Sequence, residues 1–448
     1  MTRPMFAAGV LSAGVRHFVA VAAVLAVAAF VFVCTEAPVN PPIRSDGYSY
    51  YVYLPATFLY GDPSLEALSR DWFDGAFPDF TDIRRWPGTG RWVNPHPIGV
   101  AVLMAPFFAA AHALSWWSNF PRDGFSFYYQ YAAGLAGLAY FIAGLAIVRS
   151  LLRTHFSDGV VLATLVCLTW GTNLFHYGVY DAAFSHAFSF FLIAAWMAIV
   201  ERWWDEATLA RSIAAGATAA LIVLARHTNA IFLLLLPMYD LPAVARAFKP
   251  AHGHAGSPEG LRYGRVQSIA IVGLTMIVGL LPQLAIYRYA TGRWFVSPYG
   301  ALGMSFTFGS PHVLGVLFWL PKGLFFWSPV LLLAVVGAFV SRGWTRRFLP
   351  GAAVIFAVDA YLIASWRDWQ FGGSFGHRGF TDGLALAAPF LASAFEWTAS
   401  RRRIKVAVAV CAALAVALSV AQMVQYWMGV LPISDITWDR YRALFLRF

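Results

Sequence analysis

Apolar runs of about 20 residues, separated by short polar or basic stretches, recur along most of the chain. That is the length an α-helix needs to cross the hydrocarbon of a bilayer. Read in order, the runs predict spans over 18–33, 127–147, 159–177, 184–200, 212–225, 230–245, 267–287, 323–340, 349–365, 382–397 and 406–427. Ten-residue alternating segments of the outer-membrane barrel type are not visible. The pattern therefore predicts an all-α polytopic membrane protein with about 11 transmembrane helices, forming one domain over 1–448. A further apolar run, 97–117, is assigned as a helix dipping into the outer leaflet. It lies within a long first extracytoplasmic loop, 35–126, that contains interfacial helices.

Basic residues test this order, because short cytoplasmic loops carry the excess of Lys and Arg. With the N-terminus inside, Arg3, Arg16, Arg149, Arg153, Arg202, Arg211, Arg342, Arg346, Arg347, Arg401, Arg402, Arg403 and Lys405 all fall in cytoplasmic segments. So do Arg246, Lys249, Arg262 and Arg265 of a polar cytoplasmic linker, 246–266. Counting 97–117 as a full span would put many of them outside. The scheme leaves 429–448 as an extracytoplasmic tail.

Composition agrees with the pattern: 448 residues, 59% hydrophobic, only 12% charged, with a mean hydropathy of +0.62. A soluble chain is not built this way. The net charge of +10 is accounted for by loop cations, so it gives no argument for a nucleic-acid partner. Cys34, Cys167 and Cys411 lie in or at the ends of spans and supply no disulfide framework. No small-x-small site follows the first run, which is read as a retained helix.

Candidate chemistry lies in the polar residues on the outer side that topology does not require. PPIRSDGYSYYVYLPATFLYGD, 41–62, carries Asp46 at the mouth of the first span, followed by tyrosines at 48, 50, 51 and 53. A carboxylate held where the dielectric falls is expected to be a stronger base than one in bulk water. NLFHYGVYDAAFSH supplies His176, Asp181 and His186; ARHTN puts Arg226 in a tight turn; LPKGLFFWSP supplies Lys322; and WRDWQFGGSFGHRGF supplies His377 and Arg378. Singly, each cation reads as a snorkelling anchor and each histidine as a packing residue. Together they sit at one depth on one face. Asp359 is the clear mid-span acid, whereas a transporter is expected to line the full depth of several helices with polar groups. GGSFG, 372–376, fits the nucleophile pattern of hydrolases but follows a Trp-rich helix end rather than a buried strand, so Ser374 is not read as a nucleophile. No nucleotide-binding glycine fingerprint occurs in a strand-to-helix setting.

With these motifs the chain resembles the glycosyltransferase C superfamily of lipid-phosphate-sugar enzymes. That superfamily includes protein O-mannosyltransferases, the lipid A aminoarabinose transferase and oligosaccharyltransferase catalytic subunits. RSDGYSYY resembles the acidic first-loop motif, NPHPIGVAVLMAPFF at 94–108 the re-entrant helix, and VYDAAFSH the second acidic position. LARHTNAIFLLLLP at 224–237, LPKGLFFWSPVLLLA at 320–334 and WQFGGSFGHRGF at 369–380 look like stretches of bacterial members.

The resemblance implies an inverting glycosyltransferase of a bacterial inner membrane, moving a sugar from a polyprenyl-phosphate donor to a lipid or glycan acceptor at the extracytoplasmic face. In it Asp46 and Asp181 are the catalytic candidates and Arg226, Lys322 and Arg378 hold the donor phosphate. Tyr50, His96, His186 and His377 touch acceptor or sugar. Asp181 lacks the acidic neighbour of the oligosaccharyltransferases, which argues against a catalytic divalent metal, and no cofactor is expected. Rival expectations are a glycan ligase with a lipid-pyrophosphate donor and a lipid or sugar transporter.

Overall fold

The structure, a computed structural model, describes residues 5–36, 41–240, 259–297, 299–300, 303–432, 434 and 436–447. Helix α1 (Met5–Glu36) leads into the first loop, where α2 (Asp46–Tyr51), α3 (Tyr53–Phe58) and α4 (Glu66–Trp72) precede a hairpin of β1 (Arg84–Arg85) and β2 (Trp92–Val93). Then come α5 (Gly99–Ser118), α6 (Phe127–Arg153), α7 (Asp158–Trp170), α8 (Leu174–Val179), α9 (Ser185–Asp205), α10 (Leu209–Ala225) and α11 (Leu235–Met238). The second half holds α12 (Glu259–Thr291), α13 (Val313–Phe318), α14 (Leu324–Trp327), α15 (Leu331–Val340), α16 (Gly343–Ser365), α17 (Leu384–Thr398), α18 (Arg402–Trp427) and α19 (Trp438–Leu444).

Among the described residues the fold is all-α apart from the small hairpin, which the sequence pattern did not predict; it pairs Arg84 with Val93 and Arg85 with Trp92. Among the described residues, seven helices are long and apolar enough to cross a membrane: α1, α5, α6, α9, α12, α16 and α18. Six coincide with predicted spans, and α5 is the run assigned to the outer leaflet. The other five predicted spans contain shorter apolar helices: 158–170, 209–225, 227–238, 331–340 and 384–398. Each break has a local cause. Helix α7 stops at Gly171, and α10 ends where Arg226 turns extended, with a 3-10 helix, His227–Leu234, following. The run 323–340 is cut at Ser328–Pro329, because proline cannot donate the next helical hydrogen bond. Most of the proposed linker, 246–258, lies outside the described residues.

The distribution of polarity across α18 supports a lipid environment. Its buried face carries Ser419, Gln422 and Gln425, while Val406, Val410 and Leu414 are exposed. Each of these residues donates to a partner inside the protein: Ser419 to the Trp327 carbonyl, Gln422 to the Tyr441 hydroxyl and Gln425 to the Leu444 carbonyl. Helix α12 likewise exposes Val266, Ile269, Leu274, Ile277 and Leu281. An apolar outside is what a helix facing hydrocarbon requires. In contrast α9 is enclosed, and its Trp196 donates to the Phe232 carbonyl at 3.0 Å.

One close approach fixes the turn that carries Asp181. Gly137 of α6 lies so near that turn that a Cβ placed on it would stand 1.7 Å from the Ala182 carbonyl oxygen. Gly137→Ala should therefore lose about 2–3 kcal/mol of stability, the upper range for forced overpacking, because backbone cannot yield as a side chain can. A melting curve in detergent checks this, and an unchanged midpoint would mean that α6 slides freely past the turn.

Candidate active site

Three carboxylates, each paired with an arginine, gather where the broken helices end. The first is Asp46, at the start of α2, whose Oδ2 accepts from Arg378 Nη1 at 2.9 Å. Its Oδ1 has only a long contact, 3.4 Å, from the Ser45 hydroxyl, and the side chain is 24% exposed. Burial alone would raise this carboxyl, yet the Arg378 guanidinium, with His96, His186 and Arg226 further away, holds it below the ordinary carboxylate value. This corrects the expectation of a strengthened base: the guanidinium outweighs the fall in dielectric. Asp46 is thus an ionised carboxylate with one oxygen available.

Asp181 is different, because both of its oxygens are taken. Oδ1 accepts from Arg44 Nη2 at 2.9 Å and Oδ2 meets His176 Nε2 at 3.0 Å. Trp427 Nε1 reaches His176 Nδ1 at 2.8 Å. Indole N–H is only a donor, so His176 accepts on Nδ1 and carries its proton on Nε2, toward the carboxylate. Against the cost of burial, Arg44 and His176 keep Asp181 well below its ordinary value. Each Asp181 oxygen thus has a protein partner of its own.

The third carboxylate, Asp382, did not emerge from the sequence. It is 1% exposed and meets His186 Nδ1 at 2.7 Å through Oδ1; through Oδ2 it accepts from Asn229 Nδ2 at 2.9 Å and Arg226 Nη1 at 3.2 Å. Asn229 is shared with the Ser189 hydroxyl at 3.0 Å. Asp382 is therefore an anchor rather than a surface group.

The cations expected at a phosphate are partly brought together. The guanidinium carbons of Arg226 and Arg378 lie 5.9 and 5.8 Å from the centre of the same ring, Phe371, a residue held at φ +55°. Neither arginine is a lone cation, as expected from sequence, because Asp382 and Asp46 accompany them. Each guanidinium has five N–H donors, so one carboxylate bond leaves others for a ligand. Lys322 is set apart from the Phe371 ring. It is buried, donates to the Ser374 carbonyl and lines a small cleft with Trp327, Gly376 and Tyr426. The Ser374 hydroxyl points to the Gly376 carbonyl, 3.2 Å away, not to a base.

The remaining expected contacts form a wall and a plug. Tyr50 packs edge-on against His96, ring centres 4.6 Å apart, and the Tyr299 hydroxyl meets His96 Nε2 at 3.2 Å. Burial pushes the His96 imidazole down to about 4, so it is neutral at physiological pH. His377 is enclosed between Phe371 and Phe380, and burial together with Lys322 pushes it down to about 3. It is buried against these rings. Among the described residues, no three His, Cys, Asp or Glu side chains form a metal-ligand set.

Sequence reasoning missed Arg44, Tyr299 and Asp382. Arg44 was legible, since it stands in the same RSDG motif as Asp46; Asp382 was hidden as the first residue of an apolar run. No family model matches the chain, and neither a curated protein nor a solved structure matches it.

Proposed function

We propose that this protein is a membrane glycosyltransferase of the glycosyltransferase C type, moving a sugar from a polyprenyl-phosphate donor to a hydroxyl of a lipid or glycan acceptor, with inversion. The observation that carries the reading is Asp46: an ionised carboxylate, one oxygen on Arg378 and one free, beside two arginines that share the Phe371 ring. Among the described residues, of the three paired carboxylates it is the one with an oxygen held by no more than a long hydroxyl contact. The acceptor hydroxyl gives its proton to Asp46 Oδ1 while its oxygen attacks the anomeric carbon. The bond from that carbon to the phosphate oxygen breaks, and its electron pair leaves on the lipid phosphate. Arg226 and Arg378 stabilise the charge that grows there, and that stabilisation is largest in the transition state. Neutral His96 with Tyr50 and Tyr299 offers hydrogen bonds to sugar hydroxyls. Incubating purified protein with a panel of polyprenyl-phosphate sugars and following transfer by mass spectrometry tests the reading. Transfer only from a lipid pyrophosphate would make it a ligase, and sugar movement across vesicles without a new glycosidic bond would make it a transporter.

The reading includes a topology of eleven spans in a bacterial inner membrane, N-terminus inside and the site outside, with the five short helices counted as spans. Cysteines placed singly at Ser400 and Ser434 in a variant lacking Cys34, Cys167 and Cys411 should then label oppositely with an impermeant reagent. Position 434 should react in intact cells and position 400 only after permeabilisation. Equal labelling from outside would overturn the eleven-span order.

A further inference from the structure

We infer that Asp181 acts through Arg44: with His176 and Trp427 it forms a brace that holds the Asp46 carboxylate on its arginine. The inference rests on the proposed transfer for its catalytic meaning, but its geometry stands alone. From the end of the last long helix inward, the chain of contacts is continuous. Trp427 donates to His176 at 2.8 Å, His176 to Asp181 at 3.0 Å, and Arg44 to Asp181 at 2.9 Å. The same Arg44 nitrogen also donates to the Tyr180 carbonyl at 2.7 Å, and its guanidinium lies 4.4 Å from the Tyr180 ring centre. Trp427 stacks on the other aromatic face available, Tyr180, at 5.8 Å. His176 is fully buried and Asp181 nearly so.

The link from this brace to Asp46 is one residue of backbone. Between them Ser45 sits at φ +46°, a conformation that a serine adopts only when its neighbours hold it there. Arg44 is fixed on one side of it by Asp181 and Tyr180, and Asp46 on the other by Arg378. Ile43, one residue earlier, is tied by its N–H to Gln130 at 2.9 Å. If the Arg44 anchor is cut, Ser45 is free to relax to an ordinary conformation, and Asp46 swings off Arg378. Asp181, His176 and Trp427 touch neither substrate nor reacting atoms on this account. They are positioning residues.

Two variants cut the brace at different points: Arg44→Met keeps length and removes charge, and Asp181→Asn removes the ion pair. Transfer per folded molecule should fall roughly 30-fold in each, with donor affinity within about threefold of the parent. The double variant should be no slower than the slower single one, because both cut one unit. Arg44→Lys, which keeps the charge and can still donate to both acceptors but from a differently placed nitrogen, should recover part of the rate.

A second measurement needs no activity. Carbodiimide modifies carboxyls in their protonated form, so Asp46 held ionised by Arg378 should label slowly at mildly acidic pH in the parent. Peptide mass spectrometry should show Asp46 labelling several-fold faster in both variants. Unchanged Asp46 labelling in folded Arg44→Met and Asp181→Asn protein overturns the brace, whether or not transfer is ever detected. Faster labelling in a protein that transfers no lipid-phosphate sugar upholds the brace and removes the proposed function.

Discussion

Asp46→Asn should reduce sugar transfer at least about 100-fold while leaving donor affinity equal to the parent or tighter, the usual scale for removing a general base. Asparagine keeps the shape and still offers Arg378 an oxygen, so the ion-pair partner is neutralised without a cavity. What is lost is the free carboxylate oxygen that takes the proton. Arg378, no longer balanced by a charge, should hold the donor phosphate at least as well. Single-turnover transfer and donor binding, measured separately, distinguish this from general damage. The parent's pH profile follows from the same pair. Because Arg378 lowers the Asp46 carboxyl, the base form is present above that lowered value and is lost only as pH falls through it. The acid limb should therefore lie below about 4, where an unperturbed aspartate titrates. Asp46→Asn protein that keeps more than about a tenth of the parent rate would move the base elsewhere.

The largest loss of stability is expected at Asp382. Its carboxylate is the acceptor for Arg226, Asn229 and His186. Asp382→Ala would leave these donors buried around a missing acceptor, and breaking one side of a buried pair costs about 3–5 kcal/mol. The melting point in detergent should fall steeply. Replacing the pair together, Arg226→Met with Asp382→Leu, should recover much of that stability, because apolar groups of similar volume need no partners. It should not recover transfer, which on the proposed reaction needs the Arg226 charge at the phosphate. A double variant as unstable as Asp382→Ala would show that His186 and Asn229, rather than Arg226, dominate the network.

How much of this was readable in advance differs between levels. Long apolar helices were legible because a run of apolar residues is a local property, and six predicted spans are long helices. Their interruptions were less so. Gly171, Ser328 and Pro329 were visible, but apolar composition on either side concealed the breaks until packing was known. The structure pairs Asp46 with Arg378 and sets Arg226 and Arg378 beside one ring, Phe371. Their pairing was not legible, since Asp46 and Arg378 are 332 residues apart and no local pattern joins them. That distance is why the sequence suggested a basic carboxylate and free cations where the structure has ion pairs.

The short helices have a consequence for the bilayer itself. At about 1.5 Å per residue, helices of 10–17 residues cover roughly 15–26 Å, less than the hydrocarbon thickness of about 30 Å. Lipid meeting such a surface thins, or water and headgroups sink to meet the helix ends, at a modest cost per ångström. On the proposed eleven-span topology the membrane around this protein is therefore dimpled rather than flat. On the proposed reaction, a donor tethered by an isoprenoid tail would not need to be lifted clear of the leaflet to reach Arg378; it would slide in sideways, headgroup level with the dent, by lateral diffusion in two dimensions.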